Sequence, residues 1–63
     1  MKLHKKVETR VIGEGATLHI INKFSDEGTI NFYEGVLISG CMVIKLKPSP
    51  HIGYIVDVAK ELL

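Results

Sequence analysis

The chain has 63 residues, with eight Lys and Arg against seven Asp and Glu and a net charge of +1. This length fits a single domain, spanning residues 1–63, and the near-neutral charge excludes a global attraction to nucleic acid or anionic membranes. The longest apolar runs, 36–38 and 41–44, are far below the ~20 residues of a membrane span. The basic N-terminus also lacks the apolar segment of a signal peptide, so we expect no membrane partner and a cytoplasmic location.

A domain this small needs a source of stability besides its own core. The single cysteine, Cys41, rules out an intrachain disulfide, and the three histidines are too far apart in sequence to predict a metal site. We expect neither a metal nor a cofactor. Because 46% of the residues are hydrophobic, the remaining source of stability is self-association, and we predict a homo-oligomer.

Residues 3–12 alternate between apolar and polar side chains, which predicts a half-buried strand. One predicted face contains Leu3, Val7 and Val11, and the other contains His4, Lys6, Glu8 and Arg10. Lys5 and Thr9 interrupt the apolar face, which is typical of an edge strand.

Glycines divide the rest of the chain at intervals of about 8–12 residues, as in consecutive antiparallel strands. After a turn at 13–15, strands are predicted over 16–24, 29–38 and 41–47, joined by turns at 25–28 and 39–40. Gly35 lies inside the third of these four strands and predicts a bulge or a sharp bend. The fold class is therefore mainly β (α+β): a four-stranded antiparallel meander, with a bend that favours curling toward a small barrel.

The C-terminal segment is predicted to be a helix from about residue 50 to the end. Pro48 ends the sheet, Ser49 is a candidate N-cap, and Pro50 suits the first helical position. The rival interpretation is a fifth strand over 52–58, where apolar residues also alternate. The helix would have one apolar face, which we predict to be a self-association surface, with docking onto the chain's own sheet as the alternative. That face consists of Ile52, Ile55, Val56, Ala59, Leu62 and Leu63.

No motif for catalysis is found, and we expect that the protein is not an enzyme. Cys41 with a histidine would supply a nucleophile and a base, but a packed structural thiol is the favoured interpretation. His19, in mid-strand beside Ile21, is a candidate for a subunit interface, but a hydrogen-bonded surface histidine is the favoured interpretation.

Basic residues of several strands define a candidate nucleic-acid surface, in which phosphates contact Lys and Arg and a base stacks on an aromatic ring. The candidate contacts are Lys6, Arg10, Lys23, Lys45, Lys47 and Tyr33. An ordinary solvated surface is the favoured alternative, because Glu8 dilutes the positive charge.

The leading hypothesis is a non-catalytic binding protein that self-associates and regulates or inhibits a macromolecular partner. We expect this partner to be another protein. Such small regulators are typical of phages and mobile elements, which we hypothesise as the source. The alternative is a nucleic-acid-binding, barrel-like module that uses the basic residues above. A third hypothesis is a site for a substrate or small ligand that forms only between subunits.

Overall fold

A computed structural model describes residues 2–63, which form four strands and one helix. The elements are β1 (Leu3–Gly13), β2 (Ala16–Ser25), β3 (Asn31–Ser39), β4 (Met42–Lys45) and α1 (Ile52–Glu61). The strands form one antiparallel sheet in the order β1-β2-β3-β4. This confirms the predicted meander and the C-terminal helix, and it rules out the fifth strand. The sheet is not closed into a barrel.

Tight turns with glycine connect the strands. Ser39 pairs with Met42, which leaves Gly40 and Cys41 as a two-residue loop between β3 and β4. Gly40 has a φ of 59°, a left-handed conformation that glycine adopts without steric cost. Cys41 is exposed in this turn, so the predicted packed thiol is wrong. The reason is that the loop displaces Cys41 from the ladder and leaves it without a sheet neighbour to pack against.

The core lies between α1 and one face of the sheet, which we call the helix face. Its buried cluster combines residues of β2, β3, α1 and the segment after β4. The members are Leu18, Ile20, Leu37, Leu46, Ile55 and Ala59. Since alternate side chains of a strand point to opposite faces, this cluster assigns every strand residue to a face. The opposite side of the sheet, which α1 does not cover, is called the open face below.

Gly35 marks the closest approach of the helix to the sheet. A Cβ at this position would lie 2.7 Å from Ile55 Cγ2 and 2.9 Å from Leu46 Cδ1. The pairing of β2 with β3 continues without a register shift through Ile20 and Gly35, so β3 has no bulge on its β2 side. The glycine instead gives α1 room to pack against β3. The pairing shifts by one residue in the segment after β4, between Val36–Lys45 and Tyr33–Ser49, and a second irregularity lies in β1, between Val11 and Gly13.

The helix begins later than predicted. Ser49 exchanges two backbone hydrogen bonds with Tyr33, at 2.7 and 2.9 Å, and these hold it in an extended bridge to β3. Its hydroxyl accepts a hydrogen bond from the His51 N–H at 3.1 Å, and the N-cap of α1 is His51. Ser49 is therefore not the N-cap, and Pro50 is not the first helical residue. At ten residues, α1 is too short to cross a bilayer, and no other helix is found in residues 2–63.

The prediction that β1 is half-buried is wrong, although its position at the edge of the sheet is confirmed. Leu3, Val7 and Val11 are 64%, 60% and 80% exposed. They pair with residues of β2 that lie on the open face, where α1 does not reach. The alternation in β1 therefore reflects two accessible faces, of which the apolar one is turned away from the core.

We predict that Gly35→Ala destabilises the fold by about 1–3 kcal/mol, because the added methyl group overpacks the contact with Ile55 and Leu46. Gly53→Ala is the matched control. No atom lies within 4 Å of a Cβ built there, and replacing a helical glycine by alanine stabilises by roughly 0.5–1 kcal/mol. Urea denaturation of both variants measures the two free energies of unfolding. Equal stability of the two variants would contradict the role assigned to Gly35.

Candidate interaction surfaces

The open face has an aliphatic surface that crosses all four strands. One row of cross-strand neighbours consists of Val11, Thr17, Ile38 and Val43. Val7 and Ile21 form a second pair, and Val36 lies between the rows. Val43 is 66% exposed, while Ile21, Val36 and Ile38 are partly buried by their neighbours in the sheet. The aliphatic side chains of this group, without Thr17, are called the aliphatic patch: Val7, Val11, Ile21, Val36, Ile38 and Val43.

Polar groups surround and interrupt this patch. His19 Nδ1 lies 3.2 Å from the Thr9 hydroxyl in the row between the two aliphatic ones. Lys23 pairs with Glu34 at 3.0 Å, which neutralises both charges across neighbouring strands. Lys5 and Lys45 are exposed on the same face, at the outer strands. The open face is therefore apolar at its centre and basic at its two margins.

On the helix face, β1 extends past α1, which contacts β2 and β3. Its uncovered polar residues include Lys6 and Glu8, which with Asn22, Tyr33 and Ile52 line a shallow groove of about 420 Å³. Glu8 forms an ion pair with Arg10 two residues along the strand. The groove is open to solvent and contains charges of both signs. It is therefore a solvent-exposed edge of the core.

The register separates the residues of the predicted nucleic-acid surface. Lys6, Arg10 and Tyr33 lie on the helix face, because they share rows with Asn22 or with buried Leu18. Lys23 and Lys45 lie on the open face, where they pair with Phe32 and Val36. Lys47 is exposed in the segment after β4. The structure thus brings Lys6 and Tyr33 together at the groove but does not combine the six residues into one stripe.

The predicted self-association residues of α1 have different environments. Ile55 and Ala59 are fully buried, and Ile52 and Val56 pack against the same cluster within one copy of the chain. Leu62 and Leu63 are about half exposed, and a Cβ on Gly13 would lie 3.1 Å from Leu63 Cδ1. The accessible part of this predicted surface is the pair of leucines that follows the helix.

The acidic turn between β2 and β3 has an ordered polar framework. Ser25 is buried, and its hydroxyl accepts a hydrogen bond from the Ile30 N–H at 3.0 Å. Asp26 Oδ1 forms a hydrogen bond with His4 Nε2 of β1, and the His4 ring stacks on Phe24 with a centroid distance of 5.3 Å. These contacts connect the turn to the start of β1 and orient it.

Within residues 2–63 no three His, Cys, Asp or Glu side chains are grouped as a metal site would require. Comparisons with protein-family models, with curated proteins and with solved structures found no match to the chain. The interaction surfaces therefore have to be interpreted from their own chemistry. The open face was missed by sequence reasoning, since its signal is the register between strands rather than the alternation within one strand.

Proposed function

We propose that the chain is a non-catalytic binding protein that self-associates and regulates or inhibits a macromolecular partner, which it binds through the open face. The observation that carries the proposal is the aliphatic patch on the side of the sheet opposite α1. Exposed apolar side chains grouped on one face of a small domain are typical of an interface.

The free energy gained by burying the aliphatic patch can be compared with the cost of association. Complete burial of one valine or leucine side chain contributes roughly 1.5–3 kcal/mol. The aliphatic patch has six such side chains, all of them partly or largely exposed. Their combined burial is comparable with the estimated cost of association, about 4–15 kcal/mol in lost freedom of motion. Burial of the aliphatic patch would therefore offset a large part of the cost of association.

The charges on the open face define the partner that it would fit. Lys5 and Lys45 lie at opposite margins, while Lys23 is neutralised by Glu34. A protein surface with an apolar centre and acidic groups at its rim complements this arrangement, and such complementarity increases specificity and association rate. A nucleic acid fits less well, because the basic residues are divided between the two faces and Glu8 is paired with Arg10.

We predict that Val43→Lys raises the dissociation constant for the partner at least tenfold, because it places a charge within the aliphatic patch. Met42→Lys is the matched control: it changes the adjacent residue of β4, which is 56% exposed on the helix face. Both variants should retain the wild-type free energy of unfolding to within about 0.5 kcal/mol. The measurement is capture of partners from a lysate of the source cell by each immobilised variant.

A stoichiometric protein that wild type and Met42→Lys retain and Val43→Lys loses would support the proposal. Recovery of nucleic acid alone, with equal yield from all three proteins, would contradict it. Self-association is measured separately by sedimentation equilibrium of the purified chain. A monomer at high micromolar concentration would contradict that part of the proposal.

A further inference from the structure

We propose that self-association occurs by antiparallel pairing of β1 with β1 of a second copy, about a twofold axis at Val7. The result is one continuous eight-stranded sheet. This inference deepens the proposed function and rests on its self-association part. Three observations carry it: the free edge of β1, the sequence of charges along it, and the position of the bulge.

The hydrogen bonds of the sheet show which residues of β1 face the free edge. Lys2 and Asp26 continue the register of Leu3 with Ser25, and the Asp26 N–H donates to the Lys2 carbonyl at 3.2 Å. In an antiparallel ladder, alternate residues bond to a given neighbour. Even-numbered residues of β1 therefore bond to β2, and five odd-numbered residues direct their N–H and C=O groups outward. These are Leu3, Lys5, Val7, Thr9 and Val11.

Symmetry limits how two such edges pair. A twofold axis perpendicular to the sheet places one residue opposite its own copy and keeps opposite residues on the same face. An axis at Lys5, Lys6, Glu8 or Arg10 would place identical charges face to face, which destabilises a strand pair. Of the positions from 5 to 10, only Val7 and Thr9 avoid this.

The axis at Val7 also gives complementary neighbours. Lys6 lies opposite Glu8 of the second copy, and symmetry repeats this ion pair on the other side of the axis. Leu3 lies opposite Val11 of the second copy, again twice, and Val7 lies opposite Val7. The paired segment covers residues 3–11. It also places His4 opposite Arg10, each of which already has a carboxylate beside it (Asp26 and Glu8), and Lys5 opposite Thr9.

The axis at Thr9 is disfavoured by the shape of β1. It would pair Glu8 with Arg10, so charge alone does not reject it. The irregularity between Val11 and Gly13 interrupts the ladder, however, and limits regular pairing about Thr9 to residues 7–11. The Val7 axis pairs nearly twice this length before the irregularity.

The pairing explains why β1 is both charged and apolar at an exposed edge. Lysine on an edge strand deters indiscriminate pairing, and here the charges leave a single full-length register. In the pair, both copies of α1 lie on the same side of the sheet. The two aliphatic patches then join across the axis through Val7 and Val11.

Charge reversal tests the register. Lys6→Glu and Glu8→Lys each replace two attractions by two repulsions, and we expect each to raise the dimer dissociation constant by about tenfold or more. The double variant Lys6→Glu/Glu8→Lys restores opposite charges and should return the constant to within about threefold of wild type. Asn22 and Ile20, opposite these positions on β2, are uncharged, and the ion pair of Glu8 with Arg10 is lost in both Glu8→Lys and the double variant, so the comparison of these two isolates the pairing with the second copy. Lys5→Glu, opposite Thr9 in this register, is the control and should leave the constant nearly unchanged.

Cross-linking tests the axis directly. In a Cys41→Ser background, the Cα atoms of two Val7→Cys residues would lie roughly 5.5 Å apart, within the range of a disulfide. Two Val11→Cys residues would be separated by about 27 Å along the strands. We therefore expect Val7→Cys, but not Val11→Cys, to form a covalent dimer with oxidised glutathione. Both positions are exposed, so neither substitution disturbs the core.

The outcomes separate this inference from the proposed function. A dimer that tolerates Lys6→Glu and Glu8→Lys, or that cross-links equally well at both cysteine positions, would overturn the β1 pairing and leave self-association standing. Cross-linking through Thr9→Cys in place of Val7→Cys would also overturn it. A wild-type chain that is monomeric at high micromolar concentration would overturn both.

Discussion

The contact between Ile55 and the bare backbone of Gly35 determines how the rest of the molecule is arranged. It brings the only helix of residues 2–63 onto the centre of the sheet, where the core forms with residues of β2 and β3. One helix of ten residues cannot also cover the outer strand or the second face. The exposed edge of β1 and the exposed aliphatic patch are therefore direct consequences of this packing. A larger side chain at position 35 would move the helix away and uncover the core as well.

The two faces of the sheet have different chemical characters because of this one-sided packing. On the helix face, the uncovered part of β1 is polar and combines Lys6, Glu8 and Arg10 in a solvated margin. On the open face, β-branched residues dominate and the charges lie at the margins. Burial on the helix face completes the monomer, whereas burial on the open face requires another molecule. Proposed self-association uses the backbone edge of β1 and partner binding uses the open face; the two surfaces share Val7 and Val11, where the patches of the two copies adjoin.

The fold was largely predictable from local pattern. Alternating residues and glycine turns located four strands within a few residues, and helical spacing correctly outweighed the alternation of apolar residues over 52–58. The errors arose where the answer depends on contacts between segments. The spacing of Leu3, Val7 and Val11 predicts that they share a face, but not that this face is the open one. Gly35 was interpreted within its own strand, although its neighbour is a helix twenty residues away in sequence. The residues of the candidate nucleic-acid surface do not share one face for the same reason: only the register between strands assigns each lysine to a face.

The order of the strands has a consequence for how quickly the chain folds. Each strand pairs with its neighbour in sequence, and the connecting turns are short, so little chain entropy is lost in closing each hairpin. Hairpins between consecutive strands keep the sequence separation of contacting residues smaller than crossover connections would, and folding rates rise as that separation falls. The helix follows the sheet in the chain, so a newly synthesised sheet emerges first with both sides bare. Rapid docking of α1 then shortens the time during which nascent chains are able to aggregate.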